Sequence, residues 1–129
     1  MIYLIDDDVS VLRAFEIFLE SAGMQYRSFT DSDALLSVLK PSDGDLVVMD
    51  LSKPDKVALE MLKKFCKNNT YIPVLVITVF EDDDLYEYCR QAGVKAILRK
   101  PVDGEVLIDL IKYNLPFKNQ EYKNATEQH

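Results

Sequence analysis

The chain predicts a doubly wound α/β sheet of five parallel strands and five helices. Short apolar runs of strand length alternate five times with longer amphipathic stretches. Most of the runs are almost continuously apolar, as parallel strands covered on both faces are. The stretches between them carry apolar residues at helical spacing and end on glycine or proline.

In order, the first strand is Ile2-Tyr3-Leu4-Ile5, and a helix follows on Leu12, Phe15, Leu19 and Ala22, stopped by Gly23. Met24 to Phe29 forms a second strand, interrupted by Gln25, Arg27 and Ser28 and therefore placed at an edge. The second helix starts at Asp31 or Ser32, carries Ala34, Leu35 and Leu39, and stops near Pro41. Leu46 to Met49 is the third strand, and Ala58, Met61, Leu62 and Phe65 mark the third helix. Val74 to Ile77 leads to a helix over Asp82 to Ala92, ended by Gly93. Ala96-Ile97-Leu98, expected among the covered strands, leads to the fifth helix from Asp103 to Asn114. The domain is therefore expected to span residues 1–116, and residues 117–129 to form a polar tail or the start of a linker.

Such units join by right-handed crossovers, with an expected strand order of 2-1-3-4-5. Ligands in these sheets sit beyond the carboxyl ends of the strands, where the winding reverses between the first and third strands. The rule selects Asp6-Asp7-Asp8, Asp50, Thr78 and Lys100.

Composition narrows the chemistry. The formal net charge of -7 argues against contact with nucleic acid or an anionic membrane, which need a basic face. No apolar run reaches the roughly 20 residues of a membrane span. Two cysteines without a secretory signal predict a cytoplasmic protein, with Cys66 and Cys89 as packed thiols. The single histidine is His129, which excludes triads and histidine-rich zinc sites. Carboxylates, hydroxyls and lysines must carry the chemistry.

Carboxylates crowded into one crevice repel one another, by about 4 kcal/mol for a pair ~4 Å apart at an effective dielectric near 20. A hard divalent cation relieves this, and Mg2+ suits a few carboxylates with phosphate oxygens nearby. An aspartate can also be the nucleophile that forms an aspartyl phosphate. Phosphoryl transfer then asks mainly for positioning and charge neutralisation, which a metal, a lysine and a hydroxyl supply.

Four segments together, Leu4-Ile5-Asp6-Asp7-Asp8, Val48-Met49-Asp50 with Pro54, Ile77-Thr78 and Lys100-Pro101, resemble the receiver domains of two-component response regulators, with a flavodoxin-like fold. The resemblance covers about Met1 to Leu115. It implies that Asp50 accepts a phosphoryl group from a sensor histidine kinase or histidine phosphotransfer protein. It implies that Asp7 binds Mg2+ directly, Asp6 through water, and that Asp50 and the backbone carbonyl of Ser52 complete the protein's share. It gives Thr78 and Lys100 to the phosphoryl oxygens, Lys100 to Asp50 in the resting state, and a cis bond to Lys100-Pro101. It also implies a homodimer through the fourth helix, fifth strand and fifth helix, a DNA-binding output domain elsewhere, and no enzymatic turnover beyond the domain's own phosphorylation and dephosphorylation.

Four positions depart from the family pattern. Ile97 replaces an aromatic residue that reports phosphorylation, and Val79 replaces a small residue, narrowing access to Asp50. Lys53 and Ala58 replace a methionine and a glycine. Ile97 and Val79 motivate a second reading, a receiver-like interaction module indifferent to phosphorylation. A third, a haloacid-dehalogenase-type phosphatase, rests on Asp6-Asp7-Asp8-Val9-Ser10 and leaves Asp50 unexplained. Asp8 is expected to cap the first helix, and Glu81-Asp82-Asp83-Asp84 to open the fourth against its dipole.

Overall fold

In the computed structural model, residues 1–31, 36 and 39–115 are described. The strands are β1 (Ile2–Ile5), β2 (Tyr26–Phe29), β3 (Leu46–Asp50), β4 (Val74–Thr78) and β5 (Ala96–Arg99). All pair in parallel in the order β2-β1-β3-β4-β5. Among the described residues the helices are α1 (Val9–Ser21), α2 (Lys56–Asn68), α3 (Asp83–Ala92) and α4 (Gly104–Asn114), the first, third, fourth and fifth of those expected. The expected second helix falls largely, and the tail wholly, outside the described residues.

Alternation along the strands sorts the core into two layers. Ile2, Leu4, Leu46, Val48, Leu75 and Ile77 pack with Leu12, Phe15 and Leu19 of α1 and Leu107 and Ile111 of α4. Ile5, Val47, Met49, Val74 and Val76 pack with Ala58, Leu62 and Phe65 of α2 and Leu85 and Cys89 of α3. Both faces of β3 and β4 are thus sealed, which explains their unbroken apolar runs. Each such fully buried side chain stabilises the fold by roughly 1.5–3 kcal/mol.

One expectation is corrected. Ala96-Ile97-Leu98 is not a covered central strand: β5 pairs only with β4, and these three residues are half-buried. Three consecutive apolar residues do not distinguish a central strand from an edge packed by helices. Strand β2 is also shorter than expected, beginning at Tyr26 rather than Met24, and lies at the other edge as predicted.

Every described helix is capped by an aspartate outside its first turn. Asp8 accepts from the amides of Ser10 and Val11, and Asp55 from that of Ala58. Asp82 accepts from Asp84 and Leu85, and Asp103 from Glu105 and Val106. Each cap contributes about 1 kcal/mol. Much of the acidic excess is thus structural. Asp83 and Asp84 occupy the first turn of α3, and Gly93 closes that helix at φ +107, a left-handed geometry that favours glycine. No helix among the described residues is long and apolar enough to cross a membrane.

Candidate functional site

The carboxyl ends of β1, β3, β4 and β5 deliver four kinds of side chain to one edge of the sheet. Asp6 follows β1, Asp50 ends β3, Thr78 ends β4, and Lys100 follows β5. In-register pairing of β1 with β3 sets Ile5 beside Met49, so the next residues, Asp6 and Asp50, face one another. The backbone amide of Lys100 donates to the Thr78 carbonyl at 2.8 Å, continuing the β4–β5 ladder into the site. The Lys100-Pro101 bond is cis, as the resemblance implied.

Lys100 Nζ lies 2.9 Å from Asp50 Oδ1 and 3.0 Å from Asp6 Oδ2. Its side chain is 17% exposed, against 6% for Asp50 and 1% for Asp6. Two enclosed carboxylates therefore share one ammonium. Burial works against the charged lysine, but its hydrogen bonds to Asp50 and Asp6 prevail and hold its pKa above the ordinary value. For Asp6 burial prevails and raises the pKa, opposed by the Asp8 amide and Lys100 and reinforced by the charge on Asp50.

Asp6, Asp7 and Asp50 each offer a carboxylate oxygen, all within 4.8 Å of one another. These hard donors fit an oxygen-seeking divalent cation such as Mg2+. They line a cleft of about 140 Å³ with Ser52, Lys53 and Asp55.

The structure brings the predicted site residues together, with one difference in Thr78. Its buried hydroxyl donates to the Leu51 carbonyl at 3.0 Å and accepts from the Phe80 amide at 3.2 Å. Val79 follows Thr78 and is 50% exposed. Ala58 does line the cleft.

Sequence reasoning missed three features. The Ser52 hydroxyl lies 2.6 Å from both Asp50 oxygens, although only its backbone carbonyl had been assigned a role. Lys53 Nζ stands 3.9 Å from Asp7 Oδ2 with both side chains exposed, a weak ion pair. Asp55 caps α2 and lines the cleft. A hydroxyl two residues after the aspartate was the one legible signal.

Asp8 caps α1 and is exposed, which deprives the phosphatase reading of its second acid. Cys66 and Cys89 are buried and free, and burial pushes each thiol up to about 11, so they are packed thiols as expected.

A sequence model of the response regulator receiver domain matches residues 2–112. The chain is 32% identical over 111 residues to the phosphoglycerate transport system transcriptional regulatory protein PgtA of Salmonella typhimurium, covering 86% of this chain and 27% of that protein. It is 30% identical over 111 residues to the transcriptional regulatory protein FixJ of Bradyrhizobium diazoefficiens, covering 86% and 54%. The chain thus spans about a quarter and about half of these two relatives. Among solved structures, a CheY-like receiver domain protein of Methanospirillum hungatei superposes with a TM-score of 0.77 at 24% identity, covering 95% of this chain and 96% of that one. A receiver protein of Burkholderia phymatum superposes at 0.71 with 29% identity, covering 88% and 92%. With its sheet order, its strand-end carboxylates and this match over nearly all its described length, the chain belongs to the response regulator receiver domain family.

Proposed function

We propose that this domain is a phosphorylation-controlled switch whose acceptor is Asp50. The observation that carries the reading is the enclosed Asp50 carboxylate, set between the Asp6–Asp7 pair and the Lys100 ammonium. Lys100 occupies Oδ1, which favours Oδ2 as the attacking atom. That oxygen forms a bond to the donor's phosphorus, the donor's own bond to phosphorus breaks, and the leaving group departs with the electron pair. Asp6 and Asp7, with Asp50 and the Ser52 backbone carbonyl, would hold Mg2+, which supplies charge neutralisation when bound. Lys100 stays within reach of the phosphoryl oxygens, and Thr78 exchanges the Leu51 carbonyl for one of them.

The donor is a sensor histidine kinase or a histidine phosphotransfer protein, and the setting is cytoplasmic. Residues 1–116 form the receiver, and residues 117–129 form a tail or lead toward an output domain that binds DNA. A homodimer through α3, β5 and α4 would transmit the state. The domain has no turnover beyond forming and losing its own aspartyl phosphate.

Intact mass after incubation with acetyl phosphate and Mg2+ tests the reading. One phosphoryl addition is expected, lost in Asp50→Asn. No addition, or addition that survives Asp50→Asn, overturns it. Equal partner affinity with and without beryllofluoride would favour the phosphorylation-independent module.

A further inference from the structure

The loop after Thr78 is held by hydrogen bonds rather than by burial. Val79 and Phe80 are 50% and 40% exposed, so their side chains add little to its placement. An ion pair between Arg99 and Glu81 at 2.6 Å is exposed on both sides, and such pairs contribute little. Phe80, by contrast, is gripped at both backbone atoms. Its amide donates to Thr78 Oγ1 at 3.2 Å, and its carbonyl accepts from the Tyr86 hydroxyl at 2.7 Å.

We infer that the Tyr86 hydroxyl holds the loop after Thr78 on helix α3 in the unphosphorylated state, a hold that Ile97 has no polar atom to supply. This rests on Asp50 being the phosphoryl acceptor. Thr78 has one hydroxyl proton, committed to the Leu51 carbonyl at 3.0 Å. Donating it to a phosphoryl oxygen on Asp50 requires the hydroxyl to turn, and the turn withdraws the lone pair that holds the Phe80 amide. Phe80 is then restrained only through its carbonyl, by Tyr86. The loop either leaves that phenol behind or carries it along.

Helix α3 has a second anchor that makes the first choice cheaper. The Tyr88 hydroxyl donates to the Leu59 carbonyl of α2 at 2.8 Å, and Leu85 and Cys89 are buried in the core between the helices. The helix is therefore fixed, and the exposed bond at Phe80 is the one that gives. Ile97 has no polar atom and packs against the same core cluster, so it offers the loop no alternative partner. Tyr86 is thus a positioning residue, acting on Thr78 through one peptide unit.

The test is residue-resolved amide exchange on the full chain, comparing wild type with Tyr86→Phe, Thr78→Val and the double variant. Tyr86→Phe keeps the ring and removes only the hydroxyl. Exchange at the Phe80 amide should rise about fivefold, the scale of one lost hydrogen bond, while the β4 interior at Val76 is unchanged. Thr78→Val should do the same, and the double variant should add little to either. With acetyl phosphate and Mg2+, wild-type exchange at Phe80 should rise towards the Tyr86→Phe level, while Ile97→Val behaves as wild type. A change below about twofold in Tyr86→Phe, or additive effects in the double variant, overturns the coupling. If wild type takes up no phosphoryl group, the acceptor reading fails by itself, and the coupling is decided by the unphosphorylated variants.

Discussion

Lys100 Nζ donates to Asp6 Oδ2 at 3.0 Å, joining residues 94 positions apart. The same ammonium holds Asp50 at 2.9 Å, so one cation serves two enclosed carboxylates. The resting site is therefore short of positive charge, and that shortage has measurable consequences.

Burial raises the pKa of Asp6 above its ordinary 3.8, so the folded state keeps this proton to higher pH than the unfolded chain does. Between the unfolded and the raised folded value the native state binds more protons, and stability falls as pH rises through that window. Below it the penalty is absent, and above it the penalty is fully present. Asp6→Asn removes the charge while Lys100 keeps Asp50 as its partner, and should stabilise the metal-free protein at pH 7. The gain should shrink towards zero as pH falls below about 4, where Asp6 of the wild type is protonated. Urea unfolding at several pH values checks this, and a variant less stable than wild type at pH 7 contradicts it.

A divalent cation should relieve the same shortage. Mg2+ at a hundred times its dissociation constant should stabilise the protein by about 2.7 kcal/mol. Asp7→Asn should lose most of this response. Ser52→Ala should retain it within about threefold in affinity, because the proposed ligand there is the backbone carbonyl. Calorimetric titration and thermal melts with and without metal distinguish these outcomes.

A third prediction concerns packing between α1 and α4. A Cβ at Gly104 would lie 2.5 Å from two ring carbons of Phe18. Alanine in place of glycine inside a helix ordinarily gains about 1 kcal/mol, whereas crowding a packed ring costs about 1–3 kcal/mol. Crowding wins, and Gly104→Ala should destabilise the domain by roughly 1 kcal/mol. In a Phe18→Ala background the same substitution should become neutral or stabilising, a coupling that a double-mutant cycle measures directly.

Local patterns were legible in the chain alone because their causes are local. Apolar runs named β3 and β4, helical spacing named α1 and α2, and the last polar residue before the first helix named Asp8 as its cap. Asp6, Asp50, Thr78 and Lys100 stood out because each directly ends or follows a strand, and parallel strands deliver such residues to the same edge. Edge placement was harder. Ala96-Ile97-Leu98 by itself reads like a covered central strand, at odds with the expected order 2-1-3-4-5, and the pairing of β5 with β4 alone settles it as an edge.

By itself, then, the sequence determined the doubly wound sheet and the identity of the polar side chains gathered at its carboxyl edge. Tertiary structure alone decided how those side chains are further committed: Lys100 to Asp6 beside the expected Asp50, Ser52 to Asp50, Thr78 to the Leu51 carbonyl and Tyr86 to Phe80. The reason is physical. Periodicity and capping depend on neighbours a few residues away, whereas a hydroxyl or ammonium chooses among partners that only folding brings within 3 Å or so.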